Sequence, residues 1–266
     1  MISVICSTYN SAKTLRRAIK SVLLQTYKNF EFILINDAST DNTKSILKEY
    51  SAKDSRIITI TNAKNIGLTK SLNIGLRRSV GYLIARIDAD DIWHKDKLRQ
   101  QINFLKRFPE YGIVGTNVFR LNSATKKIYK HFMPESDEKI RQSILRTTPF
   151  VHSAILFKKN LFGKYDEKYV TSQDYYLYYT ILMKTKGYNI QNFLTYKSTG
   201  SLNAISCKKW KTQRKNRILL RYQVFKHYNH NIFDYRYFIT DMISLLFPKK
   251  IKELKLRLKT FNKIRN

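Results

Sequence analysis

The sequence contains only two cysteines, Cys6 and Cys207, among its 266 residues. Two cysteines are too few for a disulfide framework, so the composition predicts a protein that works in a reducing compartment. No window approaches the roughly 18 apolar residues that a transmembrane helix needs. Met1 runs directly into the strand-like segment 2–6, which lacks the charged and apolar regions of a signal peptide. We therefore expect a cytoplasmic protein without a membrane-spanning segment.

Acidic residues are also scarce. The chain has 19 Asp and Glu against 50 Lys and Arg, which gives a formal net charge of +31. The excess is uneven, because residues 200–266 hold 17 basic and three acidic residues, a net charge of +14. With 43% hydrophobic residues the chain can still bury a sizeable core, so its charge does not predict disorder. Its length suits one large domain, or one domain with a helical appendage.

Three of the few acids stand within four positions, at Asp88, Asp90 and Asp91. They follow the apolar run 82–85, which places them at the end of a buried strand. Ionised carboxylates so close together repel one another and lose hydration near a core. A divalent cation is the usual partner of such a cluster. Because Mg²⁺ is usually held by one or two carboxylates together with substrate phosphates, the loop predicts an enzyme that acts on a nucleotide diphosphate.

The first 120 residues alternate short strand-like runs with helical stretches, in which apolar residues recur at spacings of three and four. This alternation predicts an α/β fold with a mostly parallel central sheet and helices on both faces. The predicted strands are 2–6, 31–35, 56–60, 81–87 and 112–118, and the predicted helices are 13–25, 41–50, 69–78 and 95–108.

Beyond residue 120 the pattern is less regular. We expect a strand at 152–157 and a helix at 174–184. Basic helices follow from Cys207 and are interrupted near Pro248. The chain therefore divides into a domain at 1–206 and a basic helical region at 207–266.

In a parallel sheet, ligands bind beyond the carboxyl ends of the strands. Three polar loops are predicted at that edge, namely 7–10, 36–39 and 88–91. Asp37 leaves its strand there, and we expect its carboxylate to bind the base or ribose of a nucleotide. Asp41 is better explained as the N-cap of the helix that follows.

Two Asn-x-Gly segments, 65–67 and 73–75, fit either turn and helix C-cap chemistry or a role facing the nucleotide. Asp174 is predicted in the first turn of a helix, where Asp is usually a cap or a partner of the helix dipole. The tyrosines of segment 175–179 favour core packing over a platform for a sugar.

Taken together, these segments resemble the family 2 glycosyltransferases, which share the nucleotide-diphospho-sugar transferase fold of GT-A type. The resemblance runs from Ser3 to about Ser206, and the order of the motifs makes it specific. It points towards bacterial transferases that extend lipooligosaccharide, capsule or O-antigen chains. The matching motifs are STYN at 7–10, INDASTD at 35–41, NIGLTKSLN at 65–73 and IARIDADD at 84–91, with later landmarks PFVHS at 149–153 and QD at 173–174.

The resemblance implies roles for individual residues and divides the domain into a nucleotide-binding half at 1–120 and an acceptor half at 121–206. Asp174 would be the catalytic base, and Asp90 would ligate a metal ion, Mn²⁺ or Mg²⁺. The nucleotide would be held by Thr8, Tyr9, Asp37, Asn65 and Asp88, and the acceptor or donor sugar would contact Asp91, His152 and Gln173.

The resemblance also implies a reaction. A hexose or N-acetylhexosamine would pass from a nucleotide-diphosphate donor, favoured as a UDP-sugar, to a lipid-linked saccharide, with inversion by a single displacement. One departure concerns the metal. Many relatives carry His in a late Tyr-Arg-x-His segment, where this chain reads Tyr196-Lys197-Ser198-Thr199. The third metal ligand is therefore left open.

The basic C-terminal region contains apolar anchors, among them Trp210, Leu220 and Phe247. Basic helices with apolar stripes lie on anionic lipid, so we expect peripheral association with the inner face of the plasma membrane. The alternative is a solvated helical face. The charge also suggests a nucleic-acid-binding protein, which we disfavour because loop 88–91 would repel phosphate in the absence of a metal. A nucleotidyltransferase or a non-catalytic sugar binder with the same fold is the other alternative.

Overall fold

The structure is a computed structural model that describes residues 1–122, 125–199, 209–227 and 235–246. These residues form a nine-stranded sheet with helices on both faces. The strands are β1 (Ile2–Thr8), β2 (Phe30–Asn36), β3 (Ile57–Thr61), β4 (Leu83–Arg86), β5 (Ile92–Trp93), β6 (Tyr111–Asn122), β7 (Ile128–His131), β8 (Leu156–Lys158) and β9 (Lys186–Thr199). The helices are α1 (Ala12–Leu23), α2 (Thr43–Lys53), α3 (Leu68–Arg78), α4 (Lys97–Arg107), α5 (Asp137–Ile144), α6 (Gln173–Leu182), α7 (Trp210–His227) and α8 (Tyr235–Leu246).

The strand order across the sheet is β3-β2-β1-β4-β8-β6-β9-β5, and β7 pairs with β6 outside this path. The first four strands run parallel, as the alternation of strands and helices predicts. Beyond them the sheet is mixed, because β8 lies antiparallel between β4 and β6, and β5 lies antiparallel to β9. The predicted α/β fold is confirmed, and its parallel part is mainly the N-terminal half.

Successive side chains of the strands enter two different cores, because they point to opposite faces of the sheet. In β1, Val4 and Cys6 pack under α1, α2 and α4, whereas Ile5 packs under α3 and α6. The helices supply matching apolar stripes, such as Leu98 and Ile102 of α4. Each aliphatic side chain buried in this way contributes about 1.5–3 kcal/mol to folding. Both faces of the sheet are therefore covered, which leaves its edges for function.

Most predicted boundaries agree with the structure to within three residues. The strand predicted at 152–157 is wrong over its first half, because His152–Ala154 form a 3₁₀ turn and β8 begins at Leu156. The side chains of Trp93 and Gln101 bond to backbone carbonyls of this turn. Those carbonyls are consequently not available to a strand ladder.

The last two described helices pack on the sheet domain. Arg221 of α7 donates to Asp241 of α8 and also to the carbonyl of Arg146, which joins both helices to the rest of the fold. Over the described part of the chain, no helix is both long enough and apolar enough to cross a membrane. The predicted boundary after residue 206 and the segment 247–266, with its predicted interruption near Pro248, lie outside the described residues.

Candidate active site

The loops that follow β1 and β2 are bonded to each other at the carboxyl edge of the sheet. The amide of Asn10 donates to Ser39 Oγ at 3.1 Å, and the amide of Thr40 donates to Asn10 Oδ1 at 2.8 Å. Asn10 and Ala38 have positive φ angles of 49° and 57°, a conformation that is uncommon outside glycine. The two loops therefore form one surface, as their position after parallel strands predicts.

Asp41 caps two helices without occupying the N-cap position. Its Oδ1 accepts from the amide of Thr43 and its Oδ2 from the amide of Ala12, each at 3.0 Å. The N-cap residue of α2 is Asn42, whose side chain makes no capping bond. The predicted N-cap at Asp41 is thus wrong by one residue, although its carboxylate does satisfy the otherwise unpaired amides at two helix starts.

Asp37 is only 2% exposed and organises the loop between β3 and α3. Its Oδ1 accepts from Asn62 Nδ2 at 2.8 Å and from the amide of Ile66 at 2.9 Å. Its Oδ2 accepts from the amide of Gly67 at 2.8 Å, and Gly67, with a φ of 88°, is the N-cap of α3. With three donors bound, the carboxylate retains one acceptor position for a ligand. Asp37 therefore also positions Asn65, which is exposed in the same loop.

The second Asn-x-Gly segment is neither a turn nor part of the candidate site, because Asn73 and Gly75 lie inside α3. A Cβ atom at Gly75 would stand 2.6 Å from Ile5 Cγ2, so the glycine lets α3 approach β1 closely. Asn73 is buried and exchanges two hydrogen bonds with the backbone of Tyr165, at 2.8 and 2.9 Å. Both residues hold the core together.

Asp88, Asp90 and Asp91 come together beyond β4, with one carboxylate oxygen of each within 4.8 Å of the others. Arg86, which is buried, pairs with Asp88 Oδ1. Lys197 of β9 reaches into the cluster, with its Nζ 2.6 Å from Asp88 Oδ2 and 3.2 Å from Asp91 Oδ2. Within the described residues, Asp90 is the member of this carboxylate cluster without an ion pair.

The three carboxyl groups of the cluster differ in acidity. Burial alone would raise the pKa of Asp88, but Arg86 and Lys197 outweigh it and hold that pKa well below its usual range. Burial raises the pKa of Asp90, and the charge of Asp88 adds to the effect. Burial likewise raises the pKa of Asp91 to about 6, opposed by Lys197 and reinforced by the neighbouring carboxylates. Three acids against two basic partners leave a negative site that attracts a cation.

Sequence reasoning missed three members of this site, namely Arg86, Ser153 and Lys197. Ser153 Oγ donates to Asp88 Oδ2 at 3.0 Å and accepts from the amide of Asp88 at 3.3 Å. Lys197 arrives through the pairing of β9 with β5, which directly follows the cluster. The sequence offered one signal for Lys197. Segment 196–199 has a basic residue where the Tyr-Arg-x-His segment of many relatives has Arg, although it lacks their His.

Asp174 lies in the first turn of α6, and its Oδ1 accepts from the amide of Tyr175 at 2.8 Å. Ser172, two residues before Asp174, is the N-cap of α6 and has a positive φ of 63°. Burial raises the pKa of Asp174. Asp174 is half-buried by its accessible surface. A carboxyl group with a raised pKa close to an uncommon backbone conformation is a frequent feature of functional sites.

His152 links the carboxylate cluster to α6. It precedes Ser153, which bonds to Asp88, and its own ring bonds to the Tyr165 hydroxyl at 2.9 Å. The His152 ring also lies 6.3 Å from the ring of Tyr178, four residues after Asp174 on the same helix. Tyr175 and Tyr178 are fully buried, so the predicted core-packing role of the tyrosine run is confirmed for them.

The other predicted site residues differ in exposure. Tyr9 is 48% exposed, whereas Thr8 is buried with an Oγ1 that has no hydrogen-bond partner among the described residues. The three predicted sugar contacts have little free surface: Asp91 is 0%, His152 7% and Gln173 8% exposed. Their contact with a sugar stays a prediction, and it is least favoured for Asp91, whose carboxylate is taken by its protein partners.

A separate cavity of about 750 Å³ lies at the opposite end of β4. It is lined by Val80–Leu83, by the second half of α4, by residues 158–160 and by Phe162 and Gly163. Because Val80–Leu83 lead into β4 and the carboxylates follow it, this cavity is not part of the candidate site.

Comparison with known proteins identifies the family. The profile described as Glycosyl transferase family 2 matches residues 3–166. The chain is also 31% identical over 221 residues to the UDP-Glc:alpha-D-GlcNAc-diphosphoundecaprenol beta-1,3-glucosyltransferase WfgD of Escherichia coli, across 81% of this chain and 83% of that protein. The protein belongs to glycosyl transferase family 2, as its motifs predict.

Solved structures share its fold. S. aureus TarS 1-349 in complex with UDP-GlcNAc is similar with a TM-score of 0.70 and 16% identity, across 93% of this chain and 73% of that one. The mannosyltransferase PcManGT from Pyrobaculum calidifontis, in complex with GDP-Man and Mn²⁺, gives a TM-score of 0.63 and 18% identity, across 92% and 69%. The fold is the GT-A glycosyltransferase fold that the sequence predicts.

Proposed function

We propose that this glycosyltransferase is an inverting enzyme that moves a hexose or N-acetylhexosamine from a UDP-sugar to a saccharide acceptor. The observation that carries the proposal is a partly neutralised carboxylate cluster at residues 88–91 together with the half-buried Asp174 at the start of α6, whose pKa is raised. The cluster suits a cation together with a diphosphate, and the separate carboxyl group suits proton transfer.

For the acceptor we propose a lipid-linked saccharide used in bacterial surface polysaccharide or lipooligosaccharide synthesis. The name of WfgD describes transfer from UDP-Glc to GlcNAc-diphosphoundecaprenol. The alignment with WfgD extends over most of both chains, which supports a similar class of acceptor here.

The oxygen ligands of the carboxylate cluster fit Mg²⁺ or Mn²⁺, which prefer carboxylates and water. Asp90 would hold the ion, because Asp88 and Asp91 are already paired with Lys197. When bound, such an ion neutralises the charge that develops on the leaving diphosphate. The Mn²⁺ in the PcManGT complex supports this choice of ion.

For the nucleotide we propose contacts from the two bonded loops and from the loop that Asp37 anchors. Tyr9 offers an exposed ring at the edge of the sheet, and Asn65 offers an exposed amide. The remaining acceptor position of Asp37 suits a donor on the base or ribose, and the unpaired Thr8 Oγ1 lies beneath the same surface. Asp88 would lie near the ribose and the pyrophosphate.

In the transfer step, Asp174 would take the proton from an acceptor hydroxyl as that oxygen attacks the anomeric carbon. The bond from that carbon to the diphosphate oxygen breaks on the opposite face, which inverts the configuration. Base catalysis of this kind typically contributes 10²–10⁴-fold to the rate. Gln173 and His152 would orient the sugars around this step.

We also propose that α7 and α8 lie on the inner face of the plasma membrane. Leu219 and Tyr222 of α7 are 56% and 54% exposed, and Ile239 and Met242 of α8 are 54% and 56% exposed. Lys211, Lys215 and Lys226 of α7 are exposed as well, and so is Arg236, the basic residue of α8. Exposed apolar side chains next to basic ones suit the headgroup region of anionic lipid.

The proposal is tested by incubating the protein with UDP-sugars and Mn²⁺ and following UDP release with and without saccharide acceptors. We expect acceptor-dependent release that is lost on addition of a chelator. The variant Asp90→Ala should abolish it, while Asp96→Ala, which removes a carboxylate paired with Arg99, should leave it unchanged. Release of UDP that needs neither metal nor acceptor would contradict a metal-dependent transferase.

A further inference from the structure

Three successive backbone carbonyls, two in the 3₁₀ turn and one directly after it, are each bonded by a side chain from the segment that follows the carboxylate cluster. Trp93 Nε1 donates to the carbonyl of Ser153 at 2.7 Å, and Gln101 Nε2 donates to that of Ala154 at 2.8 Å. Lys97 Nζ lies 3.4 Å from the carbonyl of Ile155. A row of three consecutive carbonyls held in this way fixes the orientation of each peptide unit in the turn.

Lys97 has an unusual place in this row. Its side chain is 0% exposed, and within the described residues it has no acidic partner. Its Nζ donates to Gln101 Oε1 at 2.8 Å and stands 4.0 Å from the centre of the Trp93 ring. Burying an amine without a counter-charge opposes folding, and burial lowers the pKa of Lys97 well below its usual range. Packing alone gives no reason for a lysine here, since a methionine would fill the same space.

The turn that these side chains hold also carries Ser153, which bonds to both the carboxylate and the amide of Asp88. The carbonyl and the side chain of a residue are attached to neighbouring backbone atoms, so fixing the carbonyls also fixes the Cα–Cβ bond of Ser153, from which Oγ reaches Asp88. A small shift of this hydroxyl would change the position of Asp88 at the centre of the cluster.

We propose that Lys97, together with Gln101 and Trp93, is a positioning residue for the donor site, acting through the turn and Ser153 on Asp88. The inference rests on the proposed function in one respect, namely that the nucleotide diphosphate binds at the carboxylate cluster. Lys97 touches neither substrate nor metal and works from the core side of α4.

A double-mutant cycle tests this route. We expect Lys97→Met to weaken UDP binding in the presence of Mn²⁺ by roughly tenfold, the lower end of the range for outer-shell partners of a ligand site. The melting temperature should not fall, since a buried amine is replaced by an apolar side chain of similar length. In a Ser153→Ala background, the same substitution should change UDP affinity by less than about twofold, because the two residues act in series.

Lys106→Met is the matched control, because Lys106 lies on the same helix and is exposed. It should leave UDP affinity unchanged in both backgrounds. Equal losses from Lys97→Met with and without Ser153, or wild-type affinity in Lys97→Met, would overturn the proposal. If Lys97→Met does not fold, Trp93→Phe replaces it, since it removes a single donor to the turn and keeps an aromatic ring.

Amide hydrogen exchange supplies a measurement that needs no nucleotide. The amide of Asp88 donates to Ser153 Oγ, so its exchange should accelerate in Lys97→Met and not in Lys106→Met. Unchanged exchange at Asp88 would overturn the positioning role even if the protein bound no UDP. Failure of wild-type protein to bind UDP, with accelerated exchange in the variant, would instead count against the proposed function alone.

Discussion

At the scale of single residues, the carboxyl groups of the site have different chemistry because their surroundings differ. Asp88 stays ionised between Arg86 and Lys197, whereas burial raises the pKa of Asp174. Environments that push the pKa values of neighbouring acids apart are a recognised way to assign them separate roles. This difference supports the proposed roles, Asp88 as a permanent charge and Asp174 as the base.

Replacing Asp174 with Asn tests the second role. The amide keeps the size of the side chain and still accepts from the Tyr175 amide, but it cannot take a proton. We expect transfer to fall by at least ~10²-fold while UDP affinity stays near that of the wild type. Steady-state transfer and calorimetric UDP titration measure the two effects separately.

The pH dependence of transfer gives a second test of Asp174, because the direction of the change in rate is predicted. A base must be deprotonated to act, so transfer should decline as the pH falls through the pKa of Asp174. Because burial raises that pKa, the decline should begin above the range of an ordinary Asp. Asp166→Asn, a change at a surface carboxylate paired with Lys168, should keep both the rate and the profile. A large fall in melting temperature in Asp174→Asn would favour a purely structural cap.

At the scale of elements, β9 completes the site by bringing Lys197 to the carboxylates that follow β4. The ammonium group is paired with Asp88 and Asp91, whose carboxylate oxygens lie within 4.8 Å of that of Asp90, the proposed metal ligand. A metal ion held by Asp90 would therefore be repelled by the charge of Lys197. The exposed fractions of Lys197 and Asp88, 28% and 25%, moderate the strength of this pair.

Lys197→Met should separate these effects. We expect Mn²⁺ affinity without nucleotide to rise roughly tenfold, because a positive charge leaves the site. In the presence of a chelator the free energy of unfolding should fall by about 1–2 kcal/mol, less than for a fully buried ion pair. Mn²⁺ titration and denaturant unfolding measure the two quantities. Lys186→Met, at the exposed start of β9, should change neither, and an unchanged Mn²⁺ affinity in Lys197→Met would mean that the lysine does not repel the ion.

The sequence predicts the elements and the edge loops well because hydrophobic periodicity is local. It predicts neither Lys197 nor Ser153 as a site residue, since their contacts with Asp88 join positions far apart in the chain. The turn at His152–Ala154 was missed for a related reason, because distant side chains bind its carbonyls. Gly75 shows the converse case, in which a residue typical of turns lies inside a helix for the sake of packing.

At the scale of the whole molecule, the formal net charge of +31 favours binding to an anionic surface. Each Lys or Arg near an anionic surface contributes about 1 kcal/mol, and the attraction fades within a Debye length. Truncation after Leu246 removes eight basic residues and one acidic residue, a net charge of +7. The basic residues lost include Lys249, Lys250, Lys252, Lys255, Arg257, Lys259 and Lys263.

We expect that the truncated protein no longer sediments with anionic liposomes but still binds UDP. The full chain should bind these vesicles strongly at low salt and should dissociate from them by roughly 0.5 M salt. Neutral vesicles and RNA serve as parallel arms, because nucleic-acid binding is also sensitive to salt. If the full chain ignores anionic vesicles at about 0.05 M salt, or prefers RNA, the membrane proposal is wrong.

The ion pairs of Lys197 also bear on how the protein acquires its site during synthesis. Strands β1 to β4 leave the ribosome about a hundred residues before β9, so the carboxylates exist for a time without that partner. Only when β9 joins β6 and β5 does the lysine reach them. Completion of the sheet and of the charged site therefore depend on the same late strand, and a chain that stops short of β9 has Arg86 but lacks Lys197 as a partner for the carboxylates.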